Sequence, residues 1–158
     1  MNRNLLILLV LFALSASLFS QSKEARQVDE FGSNECEDLR SRLDTFLVEL
    51  QNNPQSTGFV IVYEGKYTQN VHNRKGSKQK TYLPVFGEAA LRIKSFRQHF
   101  VFRGQAGGPY LFIDGGYREF HTVELWIVPD GAKPPLAKPT LDTMKYRKGR
   151  PLGLGCEE

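Results

Sequence analysis

The sequence has few of the residues that usually hold metal ions or form catalytic motifs. It contains two cysteines and three histidines, and it lacks the short Cys-x-x-Cys spacing that is typical of zinc sites. The histidines, His72, His99 and His121, lie far apart in the sequence. No serine stands in a nucleophile-elbow motif. We therefore expect neither a metal ion nor another cofactor, and we predict a protein without catalytic activity.

The sequence has only one long apolar run, and that run lies at the start of the chain. Residues 5–14 are apolar and follow Arg3, and small residues at 15–17 and 20 precede a polar stretch. This order is typical of a cleavable signal peptide. The run is about half the roughly 20 residues that a transmembrane helix needs. We predict a signal peptide over residues 1–20, with an uncleaved amino-terminal anchor as the alternative, and export to the periplasm or the extracellular space.

The chain also lacks a strong excess of either charge. Its formal net charge is +4, and removal of residues 1–20 takes away one cation, Arg3. Domains that bind nucleic acid usually carry a denser excess of lysine and arginine. No second long apolar run follows the first. We therefore expect no nucleic-acid partner and no transmembrane span in the mature chain.

The two cysteines, Cys36 and Cys156, lie near the two ends of the mature chain. An even pair of cysteines in an exported protein is typical of a disulfide. Closing a loop of about 120 residues contributes about 4 to 5 kcal/mol on the chain-entropy model. We predict a Cys36–Cys156 disulfide that fastens the carboxyl-terminal tail to the domain, with two free thiols as the alternative.

Apolar periodicity predicts a strand, a helix and a second strand in the first half of the chain. Residues 28–31 favour a short edge strand. Asn34 and Glu37 have the spacing of a capping box, and apolar side chains then recur at helical spacing as far as the stop at residues 52–54. The unbroken apolar run at residues 58–63 is typical of a strand that is buried on both faces.

The second half of the chain predicts another helix and a β-hairpin. An apolar face at helical spacing begins near Glu88 and reaches Phe100. Residues 110–113 favour a strand, and Asp-Gly-Gly at residues 114–116 favours a tight turn. The return strand, residues 117–128, ends in alternating apolar and polar side chains, as in a sheet with one face on the core.

This order of elements predicts the α+β class. We expect a two-layer sandwich in which two helices pack on one face of a mixed sheet, with a βαβαββ-like order. The domain covers residues 28–128 and follows a polar leader at residues 21–27. Prolines interrupt residues 129–158, so we predict an extended proline-rich tail that lies over the domain.

The most unusual segment is a basic stretch at residues 65–82, which contains no acidic residue. We predict a mobile loop there. Its charges indicate contact with an anionic polymer such as a cell-wall glycan, and a merely solvated loop is the alternative. The predicted ligand-binding cations of this stretch are Lys66, Arg74, Lys75, Lys78 and Lys80.

The element order and two short segments resemble the OmpA-like domain, the peptidoglycan-binding module of bacterial envelopes. The segment from Arg92 to Phe100 is similar to the family's helix pattern, with Arg92 in the position of its arginine, and residues 116–119 are similar to its Gly-Tyr-Gly-Glu turn. The resemblance covers residues 28–128. In the family, a loop aspartate and the helix arginine hold the two charged ends of a diaminopimelate residue. This loop holds no aspartate, and Glu64 is the residue that would take its place.

Together these observations predict a non-catalytic, exported binding module of the cell envelope. We expect it to contact an anionic cell-wall component, peptidoglycan or another anionic envelope polymer, through the basic stretch, Arg92 and Glu64. The alternative is a structural or protein-interaction domain that kept the fold and lost the ligand site, and its partner would then be a protein.

Overall fold

The computed structural model describes residues 24–33, 36–73 and 76–151. The predicted signal peptide, residues 21–23 of the predicted polar leader and Cys156 lie outside the described residues. The signal peptide and the disulfide to Cys156 therefore stay predictions. In the described ranges, no helix is both long enough and apolar enough to cross a membrane.

The described chain forms two helices and five strands. In chain order they are β1 (Arg26–Phe31), α1 (Cys36–Asn52), β2 (Ser56–Asn73), β3 (Gly76–Tyr82), α2 (Glu88–Phe102), β4 (Tyr110–Phe120) and β5 (Thr122–Pro129). The predicted α+β class with two helices is confirmed. The observed order, βαββαββ, contains one strand more than the predicted βαβαββ.

Both helices pack on the same face of the sheet. Val60 and Val62 are two residues apart on β2, so their side chains project from one face, and both are fully buried. A single hydrophobic cluster joins that face to the two helices. Its members on α1, α2, β2 and β5 are Leu39, Leu43, Phe46, Leu47, Leu50, Ala89, Phe96, Phe100, Val60, Val62, Val123, Leu125 and Ile127.

The first half of β2 is the central strand of the sheet. β5 pairs with it antiparallel as far as Tyr63↔Thr122, and β4 pairs with its other edge in parallel as far as Lys66↔Phe120. β1 extends the sheet beyond β5 in the antiparallel sense. β4 and β5 therefore lie on opposite edges of β2, and the predicted hairpin between them is wrong.

The glycines of the predicted hairpin turn form a bulge within β4 instead. Val62 pairs with Asp114 and Glu64 pairs with Tyr117, so β4 holds one extra residue between these pairs. Gly116 has a φ of 80°, and its amide donates to Asp114 Oδ1 at 3.0 Å. A tight turn and a bulge both use the positive φ that glycine allows, so the sequence pattern does not distinguish them.

The chain crosses β2 at Gly65 on its way from β4 to β5. A Cβ atom at Gly65 would lie 2.5 Å from His121 N and 2.6 Å from Arg118 O. The His121 amide donates to Lys66 O at 2.8 Å. Only glycine leaves room for this crossing, and the second half of β2 lies beyond it.

The predicted mobile loop at residues 65–82 is wrong. β2 continues to Asn73 and pairs antiparallel with β3, and the pairs run from Tyr67↔Tyr82 to Asn73↔Gly76. The Tyr67 and Tyr82 rings stack with their centroids 5.5 Å apart. Cross-strand pairs of this kind stabilise a two-stranded ribbon that has no apolar face on the core. We call residues 66–82 the basic arm.

Residues 138–141 of the tail lie against the face of the sheet opposite the helices. In the described residues 130–151 there is no helix and no strand, only an isolated β-bridge between Leu141 and Tyr117. The Lys138 amide donates to the Tyr63 hydroxyl at 3.0 Å, and the Thr140 amide donates to Tyr117 O at 2.9 Å. Tyr63 is fully buried under this segment.

We expect Gly65→Ala to destabilise the fold strongly. The new Cβ would meet backbone atoms, which cannot move aside as a flexible side chain can, so the free energy of unfolding should fall by about 3 kcal/mol. Gly107→Ala is the control, because a Cβ there meets no atom within 4 Å. Urea unfolding measures the free energy of unfolding of both variants and of the wild type. Equal stability of the two would contradict the crossing at Gly65.

Candidate functional site

The structure brings two of the predicted ligand residues, Glu64 and Arg92, together beside the first turn of α2. Glu64 is buried, and its Oε1 lies 3.4 Å from the Ala89 amide nitrogen, which donates to it. Arg92 lies one turn farther along α2 than Glu88 and attracts both carboxylates electrostatically. An anion and a cation from separate segments therefore share one site.

The carboxyl-terminal tail closes this site with two side chains. The Tyr146 hydroxyl donates to Glu64 Oε2 at 2.7 Å. Arg147 Nη2 lies 2.8 Å from the Tyr67 hydroxyl oxygen and 3.4 Å from Glu88 Oε1. We call this group of side chains the Glu64–Arg92 cluster, and its members are Glu64, Tyr67, Glu88, Arg92, Tyr146 and Arg147.

Burial acts against the charged forms within the cluster, and opposite charges compensate for it. Burial lowers the pKa of Arg92, and Glu88 and Glu64 oppose that shift. Burial also raises the pKa of the Glu88 carboxyl, against the attraction of Arg92 and Arg147. Two guanidinium groups face two carboxyl groups, so the cluster carries little net charge.

His121 lies at the crossing and is buried, with 4% of its surface exposed. Its Nδ1 lies 2.9 Å from Tyr63 O, and since a carbonyl oxygen only accepts, Nδ1 carries the proton. Burial and the nearby Arg92 guanidinium lower the pKa of His121 well below its ordinary value, although the Tyr63 bond opposes the shift. The imidazole is therefore neutral at pH 7.

The predicted cations of the basic arm lie apart from the cluster. Lys66 Nζ, at the base of the arm, pairs with Glu119 Oε1 at 3.3 Å. Lys78 and Lys80 lie two residues apart on β3, so their exposed side chains project from one face of the ribbon. The remaining two predicted cations, Arg74 and Lys75, lie outside the described residues.

Stacked aromatic rings connect the arm to the cluster. Lys80 Nζ lies 5.0 Å from the centroid of the Tyr82 ring. That ring stacks on Tyr67, whose hydroxyl oxygen accepts a hydrogen bond from the Arg147 guanidinium group. The predicted site residues therefore form two groups, the exposed cations of the arm and the Glu64–Arg92 pair, and the stacked tyrosines link them.

The Gly-Tyr-Arg-Glu segment that resembles the family's turn lies within β4. Its arginine, Arg118, is 3.6 Å from the centroid of the Tyr63 ring and pairs with Glu124 Oε1 at 2.5 Å. The other Glu124 oxygen accepts from Trp126 Nε1 at 3.1 Å. These groups form a second polar network, on the tail side of the sheet, that supports packing.

The cluster is closed, whereas the arm is open to solvent. Within the described ranges, every buried side-chain nitrogen and oxygen has a hydrogen-bond partner. The same ranges contain no group of three His, Cys, Asp or Glu residues that could hold a metal ion. The arm can meet an anionic partner directly, while a ligand at the cluster has to replace contacts that the tail now makes.

Five residues of this region are not among the predicted ligand residues: Tyr67, Glu88, His121, Tyr146 and Arg147. Glu88 stands in the first turn of a helix, where acidic residues are common for reasons of capping alone. Tyr146 lies 82 residues from Glu64, and Arg147 lies 59 residues from Glu88. No local pattern in the sequence indicates contacts over such separations.

We expect the stability of the protein to fall as the pH is lowered through about 6.5, the ordinary pKa of histidine. The unfolded chain takes up a proton at His121 there, and the folded protein does not, because the folded pKa is lowered. His121→Gln keeps a donor for Tyr63 O and removes this dependence. For each protein the free energy of unfolding is plotted against pH. The difference between the two plots should reach a slope of about 1.4 kcal/mol per pH unit.

Groups that titrate in both proteins, such as the Glu88 carboxyl, cancel in that difference. Chemical denaturation between about pH 7.5 and pH 5.5 spans the window in which unfolded histidine gains its proton. If the free energies of unfolding of the wild type and His121→Gln change equally with pH, the buried imidazole takes up its proton as readily as an exposed one, which would contradict the prediction.

Comparison of the chain with models of known protein families, with curated proteins and with solved structures finds no match. The resemblance to the OmpA-like domain therefore rests on the sequence segments alone. What it implies for ligand binding is a proposal.

Proposed function

We propose that this domain is a non-catalytic, exported module that binds an anionic component of the cell envelope. The basic arm is the main contact, and Arg92 is a second one. The observation that carries this proposal is the one-sided display of Lys78 and Lys80 on β3, a strand that pairs with β2 along one edge. No acidic residue lies between Glu64 and Glu88 in the sequence, so nothing within this stretch neutralises the cations.

The spacing of the arm suits an extended polymer. Residues two apart on a strand are about 7 Å apart, so Lys78 and Lys80 can meet charges repeated along a linear chain. Gln69 lies opposite Lys80 on the same face, and its amide can bind sugar hydroxyl groups. Beyond Lys66 at the base of the arm, the described side chains of the other face are neutral and polar: Thr68, Asn70, Ser77, Gln79 and Thr81. A polyanion therefore has one preferred side of the arm.

The Glu64–Arg92 cluster supplies the second contact of this proposal. An arginine can bind a carboxylate with two parallel hydrogen bonds, and Glu64 can accept from an ammonium group. Peptidoglycan carries both kinds of group on its peptides, which is what the OmpA-like resemblance implies. Export to the periplasm or the extracellular space, where such a polymer lies, rests on the predicted signal peptide.

Exposed apolar side chains support the second candidate function, a protein-interaction domain. Phe86 is 76% exposed, Phe102 is 63% exposed and Leu136 is 80% exposed. Side chains of this size contribute strongly to protein interfaces when a partner covers them. A protein partner would use these positions and would not depend on the lysines of the arm.

We expect the mature protein to sediment with purified peptidoglycan sacculi, and the double variant Lys78→Gln/Lys80→Gln to bind about ten- to thirtyfold more weakly. Each lysine near an anionic surface contributes about 1 kcal/mol, and added salt should weaken the wild type in the same way. The control is Lys94→Gln/Lys133→Gln, which removes the same charge from exposed positions outside the arm. Pelleting assays over a range of protein concentrations give the affinities.

Three results would count against this function. An equal loss in the control variant would mean that net charge alone causes adhesion. Binding that neither variant weakens would place the contact elsewhere on the molecule. No sedimentation of any protein would overturn wall binding and favour the protein-interaction domain.

A further inference from the structure

We propose that the tail carries an autoinhibitory strap, residues 145–147, whose Tyr146 and Arg147 close the Glu64–Arg92 cluster. The strap has to leave before Glu64 and Arg92 can contact a ligand. This inference rests on the proposed function and adds a regulatory step to its second contact; the basic arm does not depend on it.

Arg147 fills a set of acceptors that converge on one guanidinium group. Nη2 lies within 2.8 Å of the Tyr67 hydroxyl oxygen and 3.4 Å of Glu88 Oε1. Nε donates to Leu83 O at 3.0 Å, and the Arg147 amide donates to Pro84 O at 2.9 Å. Acceptors from β2, from α2 and from the segment between β3 and α2 therefore hold a single tail residue.

Tyr146 occupies the carboxylate that a cationic ligand group would use. Its hydroxyl donates to Glu64 Oε2 at 2.7 Å, while the other Glu64 oxygen accepts from the Ala89 amide. The Tyr146 ring meets the edge of the exposed Phe86 ring, with centroids 5.5 Å apart. Both Glu64 oxygens therefore already accept a hydrogen bond, and an external donor competes with the Tyr146 hydroxyl for Oε2.

The strap can leave without breaking a helix or a strand. The described residues around it are in neither kind of element, and its contacts are made mainly by two side chains. The β-bridge of Leu141 to Tyr117 fastens the tail a few residues away. A strap that is tethered in this way returns quickly, because its effective concentration at the cluster is high.

A ligand of the cluster binds only those molecules in which the strap is open. The apparent affinity is therefore the intrinsic affinity of the open cluster multiplied by the open fraction. Removing the strap's main contact should therefore raise the affinity for a ligand that needs Arg92. A merely structural contact predicts the reverse, because its loss would loosen Glu88 and Arg92 and weaken binding. The two roles give opposite signs in one experiment.

The test is sedimentation of the mature protein with purified sacculi at high ionic strength, where the contribution of the arm is screened. We expect Arg147→Ala to bind about tenfold more tightly than the wild type. The control, Lys148→Ala, removes the same charge from the neighbouring exposed residue and should leave binding unchanged. Adding Arg92→Ala to Arg147→Ala should abolish the gain.

A second variant, Tyr146→Phe, keeps the ring packing and removes only the hydrogen bond to Glu64, so it tests the strap even where Arg147→Ala folds poorly. It should bind more tightly than the wild type by a smaller factor, and thermal unfolding checks that it is folded. The strap is overturned when both variants bind no more tightly than Lys148→Ala. In that case the proposed function would still hold if the wild type sediments at low salt and the Lys78→Gln/Lys80→Gln variant sediments more weakly.

Discussion

At Gly65 two segments of backbone pass each other in a space that admits no Cβ atom. Up to Tyr63, β2 is paired on both edges, by β5 and by β4. Residues 120–122 then cross from one edge to the other, so from Tyr67 onward the described part of β2 pairs with β3 alone. This one close approach sets Glu64 against the helix and separates the arm from the two-layer body. It also buries His121 at the junction.

The same junction explains why the tail is needed. Burying a carboxylate without a partner is costly, and Glu64 and Glu88 are both buried beside Arg92. The tail brings Tyr146 and Arg147 to these carboxylates, which compensates for their desolvation. A contact that stabilises the closed molecule also occupies the groups that an external ligand would need, so stability and access to the cluster oppose each other.

The sequence predicts the elements that have one apolar face and fails where no such face exists. Regular apolar spacing in the sequence predicts α1, α2 and the edge strand near Val28. The structure contains all three, because each of them buries apolar side chains against the core. β3 was missed because almost all of its residues are exposed, and only pairing to β2 makes it a strand. Glu64 and Arg92 were selected by resemblance, whereas Arg147 reaches them through folding that no local pattern encodes.

Hydrogen–deuterium exchange of the mature protein with and without purified sacculi tests whether the basic arm is the surface that meets the envelope polymer. A two-stranded ribbon with free edges exchanges readily on its own. If the arm binds the polymer, amides of residues 77–81 exchange more slowly on the sacculi, while those around the exposed Phe102 and Leu136 stay unchanged. Protection at Phe102 and Leu136 with none in residues 77–81 would contradict binding through the arm.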